Sequence, residues 1–142
     1  MEKKTVEEAE VKTTGGEPQA DVGRLVRLCV AAWLIPGCGH FLLGRKRRAL
    51  ILFGAILCMF LLGLAMQGQF FNMHSGSILQ TLGFFGEMCV GVLMPAAMFF
   101  GYSGGNGFYA SADYGTAFLV TAGMLNALTI FDAYDIALGR KN

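Results

Sequence analysis

The sequence ALILFGAILCMFLLGLAM, from Ala49 to Met66, decides the fold class of this chain. Its 18 residues include no charged side chain, proline, asparagine or glutamine. The hydrocarbon core of a bilayer is about 30 Å thick, and about 20 residues of α-helix span it. The stretch therefore predicts a transmembrane helix.

The low charge around this stretch excludes a water-soluble globule. From Ala49 to Ala112 the only Asp, Glu, Lys or Arg is Glu87, and only 15% of the 142 residues are charged. Soluble domains carry about 25% charged residues, and they need polar side chains over the surface that they leave in water. The composition predicts an integral membrane protein that lipid solvates along most of its length.

Further apolar segments lie on both sides of this helix. We predict an all-α integral membrane bundle over residues 23–142, with four hydrophobic helices at about 25–43, 49–66, 79–102 and 115–137. Residues 1–22 differ, because they hold six acidic and three basic residues and no aromatic one. Such a composition favours a disordered acidic tail.

The first hydrophobic helix is interrupted at Pro36-Gly37, which leaves two topologies open. If the segment crosses, the chain has four spans, and four basic residues near the span ends lie on each side. If it is re-entrant, three spans remain, the carboxyl terminus faces out, and the basic residues divide six against two. The positive-inside rule favours re-entrance, whereas the length of the segment favours crossing.

A motif follows the same break. Residues 36–45, PGCGHFLLGR, resemble the PG-x-GH-x-x-x-G-[KR] signature of small uncharacterised bacterial membrane proteins, which are in turn similar to the TM2-domain family. In that family a GH-(R)-FYLG stretch is paired with a later W-L-I-D motif. Residues 39–44 match the first part without its tyrosine, and residues 128–135 are a looser counterpart of the second, after two extra apolar spans. The resemblance implies a membrane protein with no known biochemical role. We expect a multi-pass protein of the bacterial inner membrane with a cytoplasmic amino terminus.

Two residues within the apolar segments carry chemistry of their own. His40 has the side chain of a haem, pigment or metal ligand, but we favour a structural role in which it binds carbonyl groups freed by Pro36. Glu87 costs about 2–4 kcal/mol if it is charged at mid-membrane. We favour a hydrogen bond from Glu87 to Asn126, Thr121 or Thr129 over a role in moving protons or ions.

Charged clusters flank the spans. The basic cluster Arg45, Lys46, Arg47 and Arg48 is predicted to anchor the topology and to bind anionic lipid headgroups. Asp132 and Asp135 lie one helical turn apart, a spacing that also invites a metal or acid–base role. We favour an ion-pair belt with the basic cluster. That belt requires the last helix to end on the same side as the cluster, which neither topology gives.

No arrangement of a nucleophile with a base is apparent in the sequence, so we expect no enzyme and no bound cofactor. The leading hypothesis is a structural or accessory subunit that packs against other membrane proteins or its own copies. Membrane lipids are expected partners, and nucleic acid is not. The alternatives are a subunit that binds haem or a pigment through His40, and a small ion or proton conductor that uses Glu87.

Overall fold

The computed structural model describes residues 21–71, 78–105 and 107–140, and over those ranges the chain is helical without a strand. The predicted tail, apart from its last two residues, and Lys141 lie outside the described residues. The described ranges contain six helices: α1 (Val22–Leu34), α2 (Cys38–Leu42), α3 (Lys46–Ala65), α4 (Ile78–Met88), α5 (Leu93–Phe99) and α6 (Ala112–Ala137).

The two long helices, α3 and α6, form the centre of the fold. Each is long and apolar enough to cross a membrane, with lengths of about 30 Å and 39 Å at 1.5 Å per residue. They run antiparallel, because Gly63 near the end of α3 packs against Gly115 near the start of α6. We call the end where α3 begins and α6 finishes the basic end, and the other the opposite end.

The first predicted helix is two helices that turn back on themselves. α1 runs inward from the basic end until its Trp33 carbonyl reaches Asn126 of α6. Gly37 then adopts a left-handed φ of 78°, and α2 brings Gly39 back between Ala32 and Ala133. Both ends of this segment therefore lie at the basic end, which is the geometry that the re-entrant alternative predicts.

The predicted helix over 79–102 is also broken, which the sequence analysis did not anticipate. Its two parts, Gln80–Met88 and Leu93–Phe99, make an angle of 92° with each other. Only the two parts combined are long enough to count as a third membrane span. Two features accompany the bend. Gly91 has a left-handed φ of 73°, and the amide of Val92 donates to the carbonyl of Leu34 in the first broken segment.

The bent pair α4–α5 enters from the opposite end and returns to it. Gly83 packs against Phe71, which follows α3, and Gly86 lies against Val120 of α6. After the bend, the hydroxyl of Tyr102 donates to the carbonyl of Gly68 at 2.6 Å, again beyond the end of α3. The two broken segments thus approach the α3–α6 pair from opposite ends.

The core lies between α3, α6 and the second broken segment, and it is built from Ile56, Phe60, Val90, Ala97, Leu119 and Ala122. Many large apolar side chains also lie on the outer surface. Phe99 and Phe100 are 88% and 87% exposed, and Leu50 and Ile51 of α3 are similarly open. Exposed apolar area of this extent is what a helix surface presents to lipid or to another membrane protein.

Charge divides sharply between the two ends. Within the described ranges all Lys and Arg residues lie at the basic end, and they are Arg24, Arg27, Arg45, Lys46, Arg47, Arg48 and Arg140. Asp132 and Asp135 lie in the last turns of α6, at this same end, which is where the predicted ion-pair belt requires them to be. The belt itself stays a prediction.

One close helix contact yields a test of this packing. A Cβ added at Gly123 would lie 1.7 Å from the carbonyl oxygen of Gly86, whereas one added at Gly54 meets no atom within 4 Å. We expect Gly123→Ala to force α4 away from α6 and to lower the free energy of unfolding by about 1–3 kcal/mol. Gly54→Ala should leave it unchanged or raise it by up to about 1 kcal/mol.

The measurement is unfolding of the purified protein by SDS in mixed micelles, followed by circular dichroism. Equal effects of Gly123→Ala and Gly54→Ala would contradict the close contact between α4 and α6.

Candidate functional site

The two broken helices meet each other beside the middle of α6, and we call this contact the junction. The amide of Val92 donates to the carbonyl of Leu34 at 3.1 Å. The indole Nε1 of Trp33 donates to the carbonyl of Met88, also at 3.1 Å. Each break therefore supplies donors or acceptors to the other, and backbone groups that a helix would have paired internally are paired across the junction.

Gly91 lies where the two backbones are closest. A Cβ at this position would lie 1.9 Å from the carbonyl oxygen of Trp33, and the left-handed φ of 73° disfavours any other residue. Glycine is required here for two separate reasons, space and dihedral angle. The junction consequently has no room for an added methyl group.

Asn126 of α6 joins both breaks through one side chain. It is fully buried, and its Nδ2 donates to the carbonyl of Cys89 at 2.8 Å and to that of Trp33 at 3.4 Å. Its Oδ1 accepts from the hydroxyl of Thr129 at 3.1 Å. The amide has the two donors and the acceptor that this task needs, so Asn126 links α6 to both returning segments.

Glu87 lies on α4 with 1% of its surface exposed. The predicted partners do not bind it, because Asn126 and Thr129 bind each other and the Thr121 hydroxyl donates to the carbonyl of Ala117. Instead Oε2 accepts from the backbone amide of Phe71 at 2.9 Å. The second oxygen, Oε1, is buried without a hydrogen-bond partner in the part of the chain that the structure describes.

His40 lies on α2 with 1% of its surface exposed. Its Nε2 is 3.0 Å from Oδ2 of Asp132 on α6, so the contact that the ring makes is with a carboxylate and not with a carbonyl freed by Pro36. The contact ties the returning arm of the first segment to the end of α6. Nδ1 is buried and has no hydrogen-bond partner among the described residues.

The remaining charged candidates stay at the surface. Asp135 lies 3.9 Å from Nη1 of Arg140, and an ion pair this long and exposed contributes little to stability. Lys46 Nζ lies 5.9 Å from the centre of the Phe41 ring. Within residues 21–71, 78–105 and 107–140 no group of three or more His, Cys, Asp or Glu is placed to hold a metal ion.

The sequence of the whole site falls within one recognised family, because a family model matches residues 27–142. The chain belongs to the family of unknown function DUF6677. No curated protein matches the chain, and no solved structure does. The DUF6677 match agrees with an uncharacterised family, but it lends no support to the signature at residues 36–45 or to the TM2-domain resemblance. It covers both breaks, His40, Glu87 and Asn126.

Sequence reasoning singled out Asn126, Glu87 and His40 but did not bring the right partners together. It did not identify Trp33 as a donor at the junction or Gly91 as the point where the second helix breaks. The available signal was Gly91 with Pro95 shortly after it, a second glycine and proline inside an apolar segment, as at Pro36-Gly37. The acceptors at Trp33, Leu34 and Cys89 are carbonyl groups, which every residue carries, so side-chain identity alone does not reveal them.

Replacing Asn126 tests the junction directly. Asn126→Leu removes both donors and leaves the carbonyls of Trp33 and Cys89 without this partner, so we expect the free energy of unfolding to fall by about 2 kcal/mol or more. Thr121→Val is the control, because its exposed hydroxyl bonds only within its own helix, and it should change stability by less than about 0.5 kcal/mol.

Trp33 is the single tryptophan of the chain, and its fluorescence adds a local measurement at the junction. Asn126→Leu should shift its emission maximum and Thr121→Val should not. An unchanged emission spectrum together with unchanged stability for Asn126→Leu would show that the amide does not hold the breaks together.

Proposed function

We propose that this chain is a multi-pass integral membrane protein in which α3 and α6 cross the bilayer. In this proposal the two broken segments enter from opposite sides and return, so that they meet at mid-depth. The lengths of α3 and α6 against a hydrocarbon core of about 30 Å support the two crossings. The pairing of backbone groups at the junction supports re-entrance, since unpaired ones cannot face lipid.

The distribution of charge supports an orientation. Basic residues near the ends of spans remain on the cytoplasmic side, and all those described lie at the basic end. We therefore propose that the basic end, both termini and the Arg45–Arg48 cluster face the cytoplasm, in a bacterial inner membrane. This arrangement removes the conflict between the two topologies considered from sequence, because the second broken segment also returns and the last helix then ends beside the cluster.

Labelling of single cysteines tests this topology. In a variant without the four native cysteines, we expect Arg24→Cys, Lys46→Cys and Arg140→Cys to react with an impermeant maleimide from the cytoplasmic side only. Ser103→Cys, which follows α5, should react from the other side only. Reaction of positions 24 and 46 from opposite sides would mean that the first segment crosses, and it would overturn the proposal.

For the biochemical role we propose a structural or accessory subunit that packs against other membrane proteins, and not an enzyme. The observation that carries this proposal is the closed junction: Gly91 and Gly123 are in contact with neighbouring backbone, so no space remains between the segments at that depth. A closely packed interior with many exposed apolar side chains is suited to lateral packing. Close backbone contacts at small residues are how membrane helices associate.

Photocrosslinking in the native membrane tests the role. A photoreactive phenylalanine analogue is placed at Phe100, Ile51 or Leu128, which are exposed positions on three different helices or helix ends. We expect at least one of them to give an adduct with a protein, of mass above the 15.3 kDa of the chain. Ile56, which is fully buried, is the control and should give none. Adducts with lipid alone at all three positions would contradict an accessory role.

A second candidate role is proton or ion conduction through Glu87, favoured by its unpartnered Oε1. It requires proton flux in proteoliposomes that is lost with Glu87→Gln.

A third candidate role is cofactor binding through His40. Its Nδ1 has no hydrogen-bond partner among the described residues, and its Nε2 contacts a carboxylate, as in many histidine ligands. It requires a haem or pigment absorption band that is lost with His40→Ala.

A further inference from the structure

An apolar groove lies at the basic end, between the first break and the start of α3. Its volume is about 350 Å³, within the range of small-molecule sites. Its walls are almost wholly apolar, and Lys46 is the one charged residue among those that line it. The principal lining residues are Ile35, Pro36, Phe41, Lys46, Leu50 and Phe53.

The groove follows one face of α3 downward from the basic cluster. Lys46, Leu50 and Phe53 are spaced by four and three residues, so they lie on one side of the helix. From Lys46 to Phe53 the helix rises about 10 Å, which is less than the thickness of one leaflet, about 15 Å. In the proposed orientation the groove thus descends from the cytoplasmic headgroups into the acyl chains of the same leaflet.

The basic cluster places exposed positive charge at the mouth of the groove. Lys46, Arg47 and Arg48 are exposed, while the carboxylates at the end of α6 contact His40 and Arg140. The ammonium group of Lys46 lies 5.9 Å from the centre of the Phe41 ring, so the positive charge is next to an apolar wall of the groove. An anion with a long apolar tail complements both parts of this surface.

We propose that the groove is a binding site for one anionic phospholipid of the cytoplasmic leaflet. The headgroup phosphate pairs with Lys46, and one acyl chain lies along Leu50 and Phe53 against Pro36. A free phosphate would leave the apolar walls exposed to water, and a zwitterionic lipid would bring its own headgroup cation next to Lys46 and the neighbouring arginines. The site rests on the membrane location proposed above but not on the accessory role.

The test uses the full-length protein, stripped of lipid in detergent and then titrated with phosphatidylglycerol or phosphatidylcholine in mixed micelles. Retained lipid is counted by native mass spectrometry. We expect one phosphatidylglycerol per chain, and weaker retention of phosphatidylcholine. Lys46→Gln should weaken the binding of phosphatidylglycerol about fivefold, since one basic residue near an anionic lipid contributes about 1 kcal/mol and 1.4 kcal/mol is a factor of ten.

Matched variants separate a built site from general attraction to the basic end. Arg47→Gln removes a neighbouring charge that does not line the groove, and it should change binding less than twofold. Leu50→Trp fills the groove and should abolish retention, while Ile51→Trp, one residue further and equally exposed, should not. Leu50→Phe serves where Leu50→Trp fails to give folded protein, as judged by circular dichroism.

Three results would overturn the proposal. Equal losses for Lys46→Gln and Arg47→Gln, with no effect of filling the groove, would indicate attraction to the surface charge alone. Equal retention of the two lipids would indicate a groove that does not select an anionic headgroup. Loss of protein crosslinks from Leu50→Trp, with lipid retention unchanged, would indicate that a partner protein occupies the groove. Because the titration contains no other protein, lipid binding can fail or succeed independently of the accessory role.

Discussion

The structure depends on one constraint: backbone groups buried away from water must be hydrogen-bonded within the protein. Two helices of this chain are broken inside the apolar region, and each break frees amides and carbonyls. They are paired across the junction, where Val92 donates to Leu34 and Trp33 donates to Met88. Asn126 completes the pairing with two further donations. Without the second break, the first would have fewer partners for its freed carbonyls.

Glycine makes this pairing sterically feasible. The bonds require the backbones to be closer than side chains allow, and Gly91 and Gly123 lie at two very close approaches, to Trp33 and Gly86. The polar side chains sit around the junction at different levels of α6, with His40 bound at Asp132 near the basic end and Asn126 at the middle. The buried side chains of His40, Glu87 and Asn126 each join a returning segment to a neighbouring part of the chain, which supports a role in rigid packing.

Much of the fold was predictable from composition. The long apolar run of α3, the broken first segment and the apolar α6 were all recognised, because hydrophobic length and helix-breaking residues are local properties. The bend between α4 and α5 was not, since glycine is common in membrane helices and a single one does not break them. Of the candidate site, Asn126, Glu87 and His40 were recognised as polar residues in apolar surroundings. Their partners were assigned wrongly or left open. Three of the groups that bind them belong to the backbone, namely the carbonyls of Trp33 and Cys89 and the amide of Phe71.

The sequence by itself determined that the chain is helical, that it has a membrane-like composition and that its charge is confined to a few clusters. Those properties follow from counts and periodicity along the chain. The tertiary structure alone decided that both broken segments return, that all described basic residues gather at one end, and that Asn126 serves both breaks. The reason is physical: a freed backbone group can be satisfied by any donor or acceptor that packing brings near, and packing depends on residues far apart in the sequence.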